Sequence, residues 1–160
     1  MPFSDILKAN RGYAADHVEL ADGQARRGLA IVTCIDTRID PLAAFGLIPG
    51  DAKVIRNAGA RVTQDVLRTL TIAAHVLGVN RIALIQHTDC GVAANTQETI
   101  ATVVHEHTGT EPTIDFLTID DQIATLHADA EILRTHPLLP HVEVGEFMFD
   151  VHGGGLEQVG

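Results

Sequence analysis

The stretch LAIVTCIDTRID, running from Leu29 to Asp40, decides how the rest of the chain is read. Leu29 to Thr33 is a short apolar run, the signature of a buried strand. Cys34, Asp36 and Arg38 then alternate with Ile35, Thr37 and Ile39. On an extended backbone, residues two apart point the same way. A thiol, a carboxylate and a guanidinium therefore leave one strand end on one side. A second apolar run, Arg81 to Gln86, delivers His87 and Cys90 in the sequence HTDC. Two cysteines and a histidine at two strand ends make a three-ligand set for zinc, and catalytic zinc sites keep three protein ligands with one position open. Asp36 and Arg38 make the set look catalytic rather than structural.

Working outward, strands alternate with helices. Residues 4–20 carry a loose helical stripe (Ile6, Leu7, Tyr13, Ala14, His17, Val18, Leu20) with Ser4 as candidate N-cap. This helix is expected to pack on the domain or on a partner subunit. Pro41 opens a short helical piece to Phe45, and residues 52–56 read as a second strand. Thr63 caps a helix to Leu77, with Asp65 in its first turn and Gly78 as its stop. Another helix is read from Gly91 to about His107, and a longer one over 118–135 with Ile119, Ile123, Leu126, Ala130 and Leu133 on its buried side. Residues 142–151 have β character, and Gly153 to Gly155 turn the chain into a short tail. The order predicts an α/β fold with a mainly parallel central sheet flanked by helices, in one domain over 1–160. In such sheets ligands bind beyond the carboxyl ends of strands, where strand order reverses. Strands one and three as neighbours would join the two halves of the site.

Composition narrows the partners. With 21 acidic and 11 basic residues the formal charge is −10, and no basic cluster is present, which argues against nucleic acid and anionic membrane surfaces. No window approaches a transmembrane length, and the opening residues lack a signal peptide's charged and apolar segments. A cytoplasmic location is the expectation. In a reducing compartment, metal ligation is a better reading of the two cysteines than a disulfide.

The pattern Cys34-Ile-Asp36-Thr-Arg38 followed by His87-Thr-Asp-Cys90-Gly91 resembles the β-class carbonic anhydrases, which carry C-x-D-S-R and then H-x-x-C-G. Gly50-Asp51 and Val54-Ile-Arg56-Asn57-Ala58-Gly59 resemble that family's segment between the two motifs. Thr37 stands for the usual Ser, Gln86 for a Gly, Val92 for a second Gly and Ala60 for a common Asn. The resemblance implies one Zn²⁺ per chain on Cys34, His87 and Cys90, an Asp36–Arg38 pair beside it, and a homodimer or homotetramer with sites at subunit interfaces. Gln24 corresponds to a glutamine that reaches a partner's pocket. The implied activity is reversible hydration of CO₂. Carbonyl sulfide and carbon disulfide hydrolases share the fold and ligand set and are the alternative; a non-catalytic zinc or thiol sensor is a third.

The chemistry suits these side chains. Two thiolates and a neutral imidazole neutralise Zn²⁺, so a water there is less acidified than in an all-histidine site. Asp36 can accept that water's hydrogen, and Arg38 can hold Asp36 off the metal. A freed Asp36 would itself become the fourth ligand and close the site. A small neutral substrate needs a small apolar pocket, for which Ala58, Gly59, Val62 and Val92 are candidates, while the Gly91 N–H, read at a helix start, can donate to an oxygen. His75, His105 and His107 are candidates for carrying the proton away. Asp89 reads as solvated or helix-capping, and Arg56 as equally a fold-holding or an active-site arginine. The bland alternative for the triad is a buried cysteine pair beside a core histidine, against which Asp36 and Arg38 weigh.

Overall fold

Strand β1 (Leu29–Cys34) is buried along almost its whole length because it lies inside the sheet. The computed structural model describes residues 2–160. Its sheet has five strands in the order β2–β1–β3–β4–β5, with β2 (Ala52–Asn57), β3 (Arg81–His87), β4 (Glu143–Phe149) and β5 (Leu156–Gln158). The first four strands are mutually parallel, and β5 returns antiparallel on β4. The residues expected to form a simple tail thus complete the sheet.

Chain order reverses direction between β1 and β3, since β2 is added on one side of β1 and β3 on the other. That is the switch point at which the loops leaving adjacent strands diverge and open a crevice. Thr33 lies opposite Ile85 in the β1–β3 register, so Cys34 and His87 leave the sheet almost side by side.

The two faces of the sheet are covered unequally. Helix α3 (Gln64–Val76) and helix α5 (Gln122–Thr135) lay Val66, Leu70, Leu126, Ala130 and Leu133 onto Ala30, Val32, Ile82 and Leu84. Apolar burial of this kind contributes about 25 cal/mol per Å² removed from water. The other face carries Ile31, Ile85 and Phe149 under Ile39, Leu47 and the short helix α2 (Pro41–Ala44). Asp40 caps α2 by accepting from the N–H groups of Leu42 and Ala43, and Pro41 occupies the first turn where its missing N–H is harmless.

Thr63 caps α3 as expected, accepting from Val66 N at 3.3 Å, and Gly78 follows its end at φ +76°. Other expectations shift. Helix α1 spans Ser4–Ala15 rather than 4–20, its N-cap is Phe3 rather than Ser4, and none of its residues is buried. Helix α4 (Gln97–Thr108) starts six residues after Gly91, because Thr96 supplies the cap by accepting from Thr99 N. Residues 91–95 are turns instead. Helix α5 starts at Gln122, capped by Asp121, so Ile119 is buried ahead of the helix and Ile123 is exposed. Asp129 takes a place on its inner side, 2 % exposed, and pairs with Arg61, whose Nε lies 2.7 Å from it. Among the described residues, no helix is long and apolar enough to cross a membrane.

Candidate metal centre and active site

Cys34 ends β1, His87 ends β3 and Cys90 lies in the turn that follows, and all three are buried. Their ligand atoms lie within 4.8 Å of one another. His87 Nδ1 is 2.8 Å from the Thr88 carbonyl oxygen, to which it donates. That bond leaves Nε2 as the lone-pair nitrogen, and Nε2 is buried with no hydrogen-bond partner among the described residues. A buried imidazole acceptor aimed at two thiols is the donor set that zinc takes, with the backbone bond fixing the ring's tautomer. The residues therefore fit a metal ion.

The two thiols are distinguished by their surroundings. Cys34 is pulled down to about 4, first by the hydrogen bond from the Cys90 thiol, against the opposing pull of burial, with help from His87 and the N–H of Gly59. Gly59 N lies 3.4 Å from Cys34 Sγ. The same thiol contact, together with burial, pushes Cys90 up, while the N–H groups of Val92 and Ala93 pull it back. For His87 burial opposes the charged form, but the Cys34 sulfur and the Thr88 carbonyl prevail and raise it.

Asp36 and Arg38 form the expected pair. Arg38 Nε donates to Asp36 Oδ1 at 3.0 Å and Nη2 to Oδ2 at 2.8 Å, a bidentate arrangement. The guanidinium bonds hold the Asp36 carboxyl well below the usual carboxylate range. Asp36 Oδ2 is 3.9 Å from His87 Nε2, so the carboxylate overlooks the triad without joining it. Arg56 has a role that spacing left open. Its Nε donates to the Cys34 carbonyl at 2.9 Å and its Nη2 to the Asp36 carbonyl at 2.6 Å, holding the backbone between ligand and carboxylate.

Asp89 is exposed to solvent, as expected, and caps no helix; beyond that expectation, Arg38 Nη1 donates to its Oδ2 at 2.7 Å and Nη2 to its carbonyl at 2.9 Å. Position 89 lies between the two ligands of the HTDC motif, and that adjacency was the only hint the sequence held. On the apolar side, Gly59 (φ +76°) faces Ile119 and Val92, where a Cβ would come within 3.1 and 3.3 Å. Ile119 joins the wall from a segment read as helix. Ala58 is exposed, and a Cβ on Gly91 would meet open space. Gln24 is not brought to the triad within one chain. Its side chain donates to the Val76 carbonyl and lies against Gly78, at the amino ends of the strands.

The three histidines proposed as proton carriers also lie elsewhere. His75 bonds the Leu138 carbonyl near the start of β3, His105 pairs with Glu111 at the end of α4, and His107 lies exposed in the same last turn. His152, on the turn after β4, is the one within 3.7 Å of Asp89. It was missed because 62 residues separate it from the HTDC motif's last ligand.

With this geometry in place, comparison with known proteins assigns the class. Residues 29–153 match the carbonic anhydrase family, and the chain belongs to it as a member of the β class. Beta-carbonic anhydrase 1 of Mycobacterium tuberculosis is 34% identical over 155 residues, covering 92% of this chain and 95% of that protein. A carbon disulfide hydrolase of Saccharolobus solfataricus is 30% identical over 153 residues, covering 78% and 74%. The crystal structure of carbonic anhydrase from Streptococcus mutans superposes with a TM-score of 0.92 at 32% identity, covering 100% of this chain and 99% of that one.

Proposed function

We propose that the chain catalyses the zinc-dependent, reversible hydration of CO₂ to bicarbonate. The observation that carries this reading is the bidentate Asp36–Arg38 pair set beside a buried triad whose His87 Nε2 is left free. Cys34, His87 and Cys90 would hold one Zn²⁺, which when bound supplies the Lewis acidity that makes a water nucleophilic near neutral pH. Asp36, kept ionised by Arg38, would accept a hydrogen bond from a water held beside the triad and so orient it toward the CO₂ carbon. Arg38 keeps Asp36 from swinging onto the ligand triad, and Arg56 fixes the backbone that carries both Cys34 and Asp36. Gly59, Val92 and Ile119 form an apolar wall against which a small neutral molecule can lie without displacing a polar contact. CO₂ and water give bicarbonate and one proton, and the proton passes to solvent.

Similarity to a β-carbonic anhydrase over nearly the whole of both chains supports CO₂ over a sulfur analogue. The carbon disulfide hydrolase likeness, which covers less of each chain, supports the alternative of COS or CS₂ hydrolysis with release of H₂S. Stopped-flow CO₂ hydration by the zinc-loaded protein at mildly alkaline pH tests the reading. Fast turnover abolished in Cys34→Ser is expected. No turnover at one zinc per chain, with H₂S released from COS or CS₂, would transfer the assignment to the sulfur substrates. Zinc-dependent binding without any turnover would leave a sensor module.

A homodimer or homotetramer in the cytoplasm, as one domain over residues 1–160, completes the proposal. Helix α1 supports it, since Ile6, Leu7 and Tyr13 are all exposed within one chain and a partner would cover them. Gln24 would act at the site only across such an interface. Light scattering that gives a monomer would remove this part.

A further inference from the structure

Arg38 is bound on two sides. One edge of its guanidinium engages Asp36, and the other engages Asp89 through both the carboxylate and the main-chain carbonyl. The two acidic residues come from different loops. Asp36 follows β1, whereas Asp89 sits between the ligands His87 and Cys90 that follow β3. The Arg38–Asp89 contact is thus a tie between the two loops that must converge for three ligand atoms to meet at one point.

The backbone at Asp89 is built for this contact. Its φ is +53°, a left-handed conformation that few residues other than Gly, Asn and Asp adopt readily. Aspartate at this position tolerates the conformation and adds a carboxylate acceptor for Nη1 to the main-chain acceptor that any residue would offer Nη2. Four hydrogen bonds then fix the guanidinium plane. Without the carboxylate bond at Nη1 the guanidinium can pivot about Nη2 and Nε and carry Asp36 with it, whereas with that bond in place it cannot.

We propose that Asp89 is a positioning residue of the active site: by anchoring the outer edge of Arg38 it holds Asp36 at its station and locks the β1 loop to the β3 loop around the ligand triad. The inference rests on reading the triad as a zinc site. It concerns how the site is held and assigns Asp89 no contact with substrate or metal.

The test uses the zinc-loaded protein with Asp89→Gly and Asp89→Asn. Glycine removes the side chain at a backbone angle that suits it, so folding is not put at risk. Asparagine keeps one acceptor oxygen and the same tolerance of positive φ. Two readouts do not depend on turnover: solvent exchange of the Arg38 Nε–H by NMR, and the rate of zinc transfer to a chromogenic chelator. In Asp89→Gly both are expected to rise about tenfold, the scale on which outer-shell partners act on metal sites. In Asp89→Asn both should return toward wild type. In turnover, kcat should fall about tenfold with KM unchanged, as for a lost orientation rather than a lost binding contact. A wild-type exchange rate or a wild-type zinc-transfer rate in Asp89→Gly overturns the proposal. Should the wild type hydrate no CO₂ while both rates respond as expected, the proposed activity falls and the positioning role stands.

Discussion

The loop after β1 and the loop after β3 reach the same triad but are held by different chemistry. The β1 loop is held by guanidinium groups. Arg56 grips the carbonyls of Cys34 and Asp36, and Arg38 grips the Asp36 carboxylate. The β3 loop meets Arg38 at Asp89, but its backbone around His87 and Cys90 is held by neutral groups. Val92 and Ala93 direct N–H groups at Cys90, Gln122 Nε2 donates to the His87 carbonyl at 2.9 Å, and Asn95 donates to the Gly91 carbonyl. Charge is concentrated on the loop that carries Asp36, whose ionisation the proposed chemistry needs. In the loop that carries His87 and Cys90 the guanidinium contact falls on Asp89, while the groups bonded to the His87 carbonyl and to the Cys90 sulfur are neutral. Charge-assisted bonds are roughly twice as strong as neutral ones, so the two loops differ in what breaks them.

The sharpest way to break this asymmetry is Arg56→Ala. It frees two carbonyls at once and unsettles Cys34 and Asp36 together. A loss of about 10- to 100-fold in kcat, with weaker zinc retention, is expected in stopped-flow and chelator assays. Gln122→Leu removes one neutral bond from the other loop, and its effect on kcat should stay within about fivefold. If the two variants lose equally, the distinction between charged and neutral support is wrong.

A third comparison uses pH. Asp150 braces the β3 loop from β4, accepting from the N–H groups of His152 and Gly153 and from the Thr88 hydroxyl. These bonds, the His152 N–H first, depress its carboxyl below the ordinary value. A carboxylate depressed on folding adds stability above its unfolded pKa of about 3.9 and loses it as pH falls through the folded value. The stability gap between wild type and Asp150→Asn in urea should therefore be constant at neutral pH and narrow below about pH 4. A gap that widens in acid would contradict the assignment. The smallest effect is expected from His152→Ala. An exposed imidazole near Asp89 is placed to pass protons to buffer, so kcat should drop about two- to threefold in dilute buffer and recover with added imidazole.

Much of the site was legible in the alternation Cys34, Asp36, Arg38, because a strand's period of two is a local property. The ligand His87 and its partner Cys90 were legible for the same reason, as the end of an apolar run. The alternation, however, could not show what Arg38 does with its outer edge or where Arg56 points. Those bonds join residues 20 to 51 positions apart and depend on β1 lying between β2 and β3. Helix α4 starts later than the local pattern suggests: Ala93 and Ala94 suit a helix, whereas the N–H groups of Val92 and Ala93 are drawn to the Cys90 sulfur. Asp129 was overlooked on the inner side of α5, since a buried carboxylate is intelligible only with Arg61 beside it, 68 residues away.

By itself, then, the sequence determined the order of strands and helices up to β4, the three side chains that could hold a metal and the Asp36–Arg38 pair. Hydrophobic period, capping residues and motif spacing all act over a few residues, so they are written along the chain. Only the tertiary structure decided that Asp89 closes the far side of Arg38, that Arg56 braces Cys34, that Ile119 joins the apolar wall and that Gln24 stays at the opposite end of the sheet. Each of these is a contact between segments distant in sequence. Which partners meet is set by strand order and by the packing of α3 and α5 on one face, and no local pattern encodes that choice.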